Sequence, residues 1–334
     1  MPFTVTFLPS NSKLLVPDGT TILQAALQQG FYFPWGCDSG NCLACEGRLL
    51  QGNVRLKRQT DTISPESPAA CHVLACQAYP MTDILFEAPR VQAPGQYPVQ
   101  TISAQVKSVE QVNNDVKVVT FLLPAGRKIL FSAGQYLELL IDDDTKAAFS
   151  IASAPREDRT LELHIRANPT SNSYPKLEPK LVPGEMIKMK LGMGDVTLHA
   201  LKDAEKILLL AGSTGFSQIK AMLEGLLHSQ DTRPIHLYWG GRDFSDLYLH
   251  DWVQQQAQQH ANLHYIPVIS DQPDWSGRKG FVHKAVLDDI QNFAGWMVVG
   301  GGSPGMVYAA LDDFAAAGMQ TRQMISDVFA YAPR

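Results

Sequence analysis

The sequence predicts a multidomain chain built from three modules of different class: a small α+β module, an antiparallel β-barrel, and a doubly wound α/β module with a parallel sheet. Three observations carry this reading. Residues 36–46, GCDSGNCLACE, place Cys37, Cys42 and Cys45 close together in one loop. From about 100 to 166, short alternating apolar segments recur at roughly ten-residue spacing with no long helical pattern, as in a small barrel. From about 204 onward, continuous apolar runs alternate with helix-length segments, as in a parallel sheet covered on both faces.

Length and composition fit this division. The 334 residues suffice for two or three domains, with 45% apolar and 18% charged residues. A net charge of −5 with no strongly basic stretch argues against a nucleic-acid partner. ILLLAG (207–212) and WMVVGG (296–301) have buried-strand length, well short of the roughly 20 residues of a membrane span. The N-terminus, MPFTVTFLPS, has neither a basic region nor a long apolar stretch, so no signal peptide is expected. A cytoplasmic monomer is the expectation. Five cysteines in a reducing compartment point to metal ligands rather than disulfides.

The first module spans 1–90. FTVTF alternates as a strand, and KLLV, ahead of the turn PDG, reads as its hairpin partner. TTILQAALQQG reads as a helix capped by Thr20 or Thr21 and stopped at Gly30. A fourth thiol, Cys76, follows in HVLACQA, giving Cys37-x4-Cys42-x2-Cys45-x30-Cys76. A structural zinc site normally uses two short cysteine pairs. One tight cluster plus one distant thiol instead matches the spacing of plant-type [2Fe–2S] ferredoxins, where a wrapping loop donates three thiolates and a separate segment the fourth. Gly36 and Gly40 keep side chains away from the inorganic sulfides. A zinc knuckle, or scattered buried thiols, is the other reading. Cys71 fits no ligand position and reads as a buried thiol. Strand, strand, helix and cysteine loop, in that order, resemble the β-grasp ferredoxin fold.

A linker is expected at about 89–99, in VQAPGQYPVQ, followed by a barrel over 99–202. Within it, FSAGQYLELLI followed by AAFSIASAP resembles the flavin-binding barrel of the ferredoxin–NADP⁺ reductase superfamily. The resemblance implies bound FAD. Gly134, Gln135 and Tyr136 then stand for the family's G-Q-Y. Phe149 would pack on the isoalloxazine, and Ser150 would hydrogen-bond near flavin N5. His164, Ile165 and Arg166 would form the strand beside the ribityl and pyrophosphate, and Ser173 and Tyr174 the phosphate-side loop. The family's arginine is replaced by Ala147. Lys146 or Arg166 is left to supply that charge, without the same two-pronged fork in the case of lysine.

The third module spans 203–334. AGSTGFS (211–217) and GGGSPGM (300–306) are glycine-rich strand-to-helix turns suited to phosphate. Gly300, Gly302 and Gly305 match G-x-G-x-x-G, but too near the C-terminus for a dinucleotide fingerprint. Both turns resemble the reductase superfamily's G-G-T-G and C-G-x-P-x-M motifs. Gly212, Thr214 and Gly215 belong to the first, and Gly302, Ser303 and Pro304 to the second. Ser213 replaces a glycine, and Gly301 stands where many members carry a cysteine. YWGGRDFSDLY (238–248) resembles the ribose-reading segment. Arg242 could meet a 2′-phosphate, but Asp243 opposes one, so NADH is expected, with NADPH possible. His260 and His264 stand four apart with no third ligand, and Asp142, Asp143 and Asp144 read as a solvated turn.

The order of modules resembles the reductase components of oxygenases and the reductases of CDP-6-deoxy-glucoseen chemistry. AGSTGFS, LYWGGRDF and SDVFAY also resemble bacterial NAD(P)H–flavin reductases. The resemblance implies an NAD(P)H-dependent iron–sulfur flavoprotein reductase. Electrons would pass from NAD(P)H through FAD and the [2Fe–2S] cluster to a redox partner, either an oxygenase component or a sugar dehydrase. Two other readings stand beside it: a free-flavin reductase with a regulatory cluster, and a nucleotide-binding redox sensor without turnover.

Overall fold

The structure, a computed structural model, describes residues 2–57, 62–65, 72–126 and 129–334. Cys71, read above as a buried thiol, lies outside the described residues. The chain forms two compact units, Met1–Pro98 and Val99–Arg334.

The first unit is built on a five-stranded sheet ordered Ser12–Val16, Phe3–Leu8, Ile84–Glu87, Glu46–Gln51, Val73–Leu74. The first hairpin is antiparallel, whereas Phe3–Leu8 and Ile84–Glu87 run parallel. A three-stranded sheet (Thr62–Ile63, Val54–Leu56, Ala78–Pro80) completes it. The FTVTF alternation buries Val5 and Phe7 completely. The helix Ile22–Gln28 begins where the Thr21 hydroxyl accepts the Gln24 N–H at 3.2 Å, and it buries Ile22, Leu23, Ala25 and Ala26. Gly30, at φ +78°, ends that segment. Phe31 and Phe33 then pack on Phe7 at ring-centroid distances of 5.6 and 5.8 Å. This aromatic cluster anchors the chain two residues before the cysteine loop begins. Past the last strand, Tyr32 and Gln92 exchange backbone hydrogen bonds and Val91 is buried, so the expected linker begins as part of this unit.

The second unit holds two sheets. The antiparallel one is ordered Lys146–Ser150, Tyr136–Leu140, Met186–Met193, Gln100–Gln111, Val116–Leu122, Thr160–Arg166. A bridge between Ile151 and Leu163 joins its two edges and curls it into a barrel. Alternation sends Leu137, Leu139, Leu163, Ile165 and Leu191 inward, each fully buried. The parallel sheet is ordered Arg278–Lys279, Leu263–Ile269, Ile235–Gly241, Lys206–Gly212, Trp296–Gly301, Met324–Ile325. The strand Lys206–Gly212 is apolar and buried over residues 207–211, because helices cover both faces. Phe216–His228 packs on one face, and Val282–Asp289 and Pro304–Ala316 on the other. The chain reverses direction across the sheet between Lys206–Gly212 and Trp296–Gly301, which opens a crevice at their carboxyl ends. Among the described residues no helix is long and apolar enough to cross a membrane.

A buried charge cluster ties the barrel to the parallel-sheet half of this unit. Glu162 on the barrel receives Lys220 Nζ at 2.9 Å and His164 Nε2 at 2.9 Å. Lys220 also reaches Glu224 at 2.6 Å, and Glu224 receives Arg156 at 2.8 Å and the Ala154 N–H at 3.0 Å. With its Nε2–H given to Glu162, the His164 Nδ1 accepts from the Tyr248 hydroxyl at 2.9 Å. Burial pushes the His164 pKa down, and the imidazole stays neutral. Burial works to raise the Glu162 pKa, but the His164 hydrogen bond and the Lys220 charge outweigh it and hold it at about 2.

Candidate cofactor-binding sites

In the first unit the four thiols form two pairs. The Cys42 N–H donates to Cys37 Sγ at 3.3 Å. That bond, joined by Ser39 and by the Cys42 side chain, lowers the Cys37 pKa to about 6. Cys45 and Cys76 form the second pair, both buried; burial lifts Cys45 to about 11 and the neighbouring Cys76 thiol adds to the rise. Hydrogen bonds tie the cysteine loop to the segment that carries Cys76. The Ala75 N–H donates to Cys45 O at 3.0 Å, and Gln77 Nε2 donates to Asp38 O at 2.6 Å and to Cys76 Sγ at 3.4 Å. Among the described residues, no three His, Cys, Asp or Glu side chains converge on one metal ion. A single zinc ion would need such a foursome, whereas a two-iron cluster needs two thiolates at each end. The donor set therefore fits a [2Fe–2S] group bridging the Cys37–Cys42 and Cys45–Cys76 pairs.

In the second unit, a pocket of about 1010 Å³ opens between the barrel and the C-terminal segment. Phe149 and Ser150 line it, as the sequence predicts for the flavin, together with Tyr136, Glu138 and Ala148. They share this wall because Tyr136 pairs with Ser150 and Glu138 with Ala148 in antiparallel register. The opposite wall comes from Ser326, Asp327, Phe329 and Tyr331. Gly194 lies between the two walls. A Cβ there would stand 3.0 Å from the Tyr136 ring and 3.3 Å from Asp327 Oδ1. The aromatic lining and the glycine floor suit a planar, mostly apolar ring system. Burial lifts the Asp327 pKa to about 6; Gln218, donating at 2.6 Å, pulls it back, and Asp195 adds to the rise.

Several residues of the flavin motif serve the scaffold instead. Gly134, at φ +95°, has no room for a side chain, since Val196 O and Met222 Sδ crowd it; its carbonyl accepts from Gln218 Nε2 at 2.7 Å. The buried Gln135 spends its amide on the Ser132 N–H (2.8 Å) and Gly194 O (3.2 Å). Ile165 is barrel core, and His164 belongs to the charge cluster. Ser173 precedes the short helix Tyr174–Leu177, and the buried Tyr174 donates its hydroxyl to Glu178 at 2.7 Å. Lys146 pairs with Glu138, a residue of the pocket wall, at 2.6 Å, while the Ala147 side chain packs toward the barrel core.

Arg166 lies elsewhere than the flavin motif implies. It lines a second cleft, of about 950 Å³, at the crevice of the parallel sheet. Gly212, Thr214, Gly215, Arg242, Gly302 and Ser303 line the same cleft, so the structure gathers the two turns and the ribose segment that the sequence singles out. Pro304 opens the helix Pro304–Ala316, with Ser303 as its cap. Ser213, at φ +49°, keeps the left-handed backbone that the family glycine would supply. Its hydroxyl receives Arg166 at 2.5 Å. The buried Asp246 organises this floor, with Oδ1 on Arg166 at 3.1 Å and Oδ2 on the Arg242 N–H and Nε at 3.0 and 3.1 Å. Burial would raise the Asp246 pKa, yet these bonds hold it below the usual carboxylate range. Asp243 spends its carboxylate capping Ser245. Sequence reasoning missed Asp246, Asp327, Phe281 and His283. Asp246 lies within the quoted segment YWGGRDFSDLY and Asp327 within SDVFAY, but the resemblance assigns neither a role; Phe281 and His283 lie in no quoted motif.

Comparison with known proteins finds three domains along the chain. Residues 5–81 match the 2Fe-2S iron-sulfur cluster binding domain, 103–197 the oxidoreductase FAD-binding domain, and 209–312 the oxidoreductase NAD-binding domain. The CDP-6-deoxy-L-threo-D-glycero-4-hexulose-3-dehydrase reductase of Yersinia pseudotuberculosis is 33% identical over 323 residues, covering 95% of each chain. The chain belongs to this family of iron–sulfur flavoprotein reductases. The reductase component of phenol 2-monooxygenase from Pseudomonas sp. is 31% identical, covering 98% of this chain and 94% of that one. A crystal structure of the Amycolatopsis cytochrome P450 reductase GcoB superimposes with a TM-score of 0.65 at 29% identity, covering 97% of this chain and 98% of that one. This reductase is thus an NAD(P)H-dependent oxidoreductase carrying a [2Fe–2S] domain, an FAD domain and an NAD domain, and its family passes electrons to partner enzymes.

Proposed function

We propose that this reductase takes electrons from NADH and hands them, one at a time, to a partner protein that is an oxygenase component or a sugar dehydrase, working as a cytoplasmic monomer. The partner class follows the relatives, which are reductases of a hexulose dehydrase and of a phenol monooxygenase. Flavin, when bound, accepts two electrons as a hydride and releases them singly, which neither nicotinamide nor an iron–sulfur cluster can do. The protein's part is binding and orientation. In this reading Gly212–Gly215 and Gly302–Pro304 would seat the dinucleotide phosphates at the starts of their helices, where the helix dipole favours negative charge. Phe149 would pack against the flavin ring and Ser150 would donate its hydroxyl toward N5. Tyr331 also lines the pocket. Cys37 with Cys42, and Cys45 with Cys76, hold the two ends of the cluster.

The observation that supports this best is the pair-wise arrangement of thiols in a chain that also carries a flavin pocket and a nucleotide cleft. An anaerobic visible spectrum before and after NADH tests it. Flavin and cluster bands that both bleach are expected. Cysteine-to-serine variants at Cys42 or Cys76 should lose the cluster band yet still oxidise NADH with ferricyanide.

Ala147 favours one second reading, a free-flavin reductase, since the family guanidinium is missing. In that case the purified protein would carry the cluster without flavin, and bleaching would require added FAD.

A further inference from the structure

We propose that Gln77 is a positioning residue for electron transfer: its side-chain amide latches the cysteine loop to the fourth ligand, and its N–H on Cys76 Sγ raises the reduction potential of the cluster held there. This deepens the reading above and rests on it, since it requires a [2Fe–2S] group on Cys37, Cys42, Cys45 and Cys76.

Gln77 directly follows the fourth ligand, and its backbone is fixed on both sides. Its N–H donates to Leu74 O at 2.9 Å, and its carbonyl accepts from the Lys57 N–H at 2.7 Å. From this held backbone the side chain turns back across the loop. Nε2 donates to Asp38 O, 39 residues away, at 2.6 Å. Asp38 is the neighbour of Cys37. A carbonyl only accepts, so this contact settles which end of the amide faces the loop. The amide nitrogen has a second hydrogen, shared between Cys76 O at 3.3 Å and Cys76 Sγ at 3.4 Å. One side chain thus joins the residue beside Cys37, in the outer pair, to the thiol of Cys76, in the buried pair.

Gly40 supplies the room. Its φ of +87° suits glycine. A Cβ there would stand 3.3 Å from Gln77 Cγ and 3.5 Å from Leu74 Cδ1. A side chain at that position would press on the stem of Gln77 and displace the amide.

Loop closure alone needs only the bond to Asp38 O. The contact with sulfur does something further. Taking up an electron increases the negative charge on ligating sulfurs, and an N–H aimed at one of them favours that form. Cys76 is 2% exposed, so water supplies little of this stabilisation there, and a fixed donor counts for more. Cys42, which is exposed, has solvent for that purpose.

The full chain, loaded with FAD and cluster, is titrated with dithionite and mediator dyes, and the reduced cluster is followed by its EPR signal. Q77L, Q77E and Q77K are compared with the parent. Q77L loses both donors, Q77E turns an acceptor toward the thiol, and Q77K keeps N–H donors on an unbranched stem. The midpoint should be lowest in Q77E, then Q77L, then the parent, with Q77K at or above the parent. In Q77L the ratio of reduced to oxidised cluster at a fixed potential should fall about tenfold, the scale of one hydrogen bond to a charged acceptor and equivalent to about 59 mV for one electron. Cluster loss on warming should be about fivefold faster in Q77L, because the bond to Asp38 O is gone. A Q77L midpoint equal to the parent's overturns the proposal, even with faster cluster loss, since Gln77 would then be a structural latch only. If Q77L and Q77E fail to hold the cluster, Q77K decides: a midpoint below the parent's overturns the proposal. Failure of the reading above is separate and shows in the unsubstituted chain, which would carry no cluster signal or would not be bleached by NADH.

Discussion

Gly215 and Gly301 meet backbone to backbone, one in each nucleotide turn, and a Cβ on either would collide with the other's carbonyl. Many superfamily members carry a cysteine at the position of Gly301, as the sequence comparison above noted. Here the departure has a steric cause. Gly301→Cys should destabilise the second unit by about 1–3 kcal/mol, the usual cost of overpacking. It should also raise the KM for NADH by displacing the turn. Thermal melts and steady-state kinetics decide the matter, and a variant as stable as the parent with faster hydride transfer would refute the steric account.

The Lys220–Glu162–Glu224 cluster predicts a strong response to charge deletion. Lys220→Met leaves two buried carboxylates facing each other and should cost about 3–5 kcal/mol, measured by denaturant unfolding. A loss under about 1 kcal/mol would mean that water compensates the cluster.

The same cluster predicts how stability follows pH. The folded His164 pKa lies below its unfolded value, so the unfolded chain takes up a proton first as pH falls through about 6.5. Stability drops there. Glu162, held at about 2, contributes stability that is full above about 4.5 and is lost as pH falls toward 2. Melting temperatures measured from pH 8 down to about pH 2 should therefore fall in two stages. His164→Gln should remove the upper stage and leave the lower one. A single-stage fall in the parent would contradict the neutral, buried imidazole.

Asp327 responds in the opposite sense. Its folded pKa of about 6 lies above the unfolded value, so the protonated form is favoured in the folded state. The benefit is present below about pH 4 and lost as pH rises through 6. Asp327→Asn should therefore stabilise the flavin-free protein at pH 8, on the order of 1–3 kcal/mol, and little at pH 4. Equal effects at both pH values would rule out the raised pKa.

Arg242 is 67% exposed at its side chain but tied to Asp246, so its charge is already answered. NADH should be preferred, and Arg242→Ala should change kcat/KM for NADPH by less than about threefold, under roughly 0.7 kcal/mol. A tenfold fall specific to NADPH would show that Arg242 reads a 2′-phosphate.

The cysteine spacing, the ten-residue strand rhythm and the apolar strand–helix alternation were enough to assign module class and order, because each is a local periodicity or spacing written directly in the chain. The two glycine turns and the Phe149–Ser150 strand were legible for the same reason. What the tertiary structure decided is which way side chains face and what they meet. Arg166, drawn in sequence to the flavin phosphate, lines the nucleotide cleft because Asp246 and Ser213, 80 and 47 residues away, hold it there. His164 and Gln135 turned out to be scaffold, since burial gave their polar atoms fixed partners. Asp246 and Asp327 lie inside the quoted segments YWGGRDFSDLY and SDVFAY, yet only the fold shows that Asp246 meets Arg166 and Asp327 meets Gln218. Spacing along a chain specifies local geometry. Burial and charge pairing depend on contacts between distant residues, and only the folded chain brings those together.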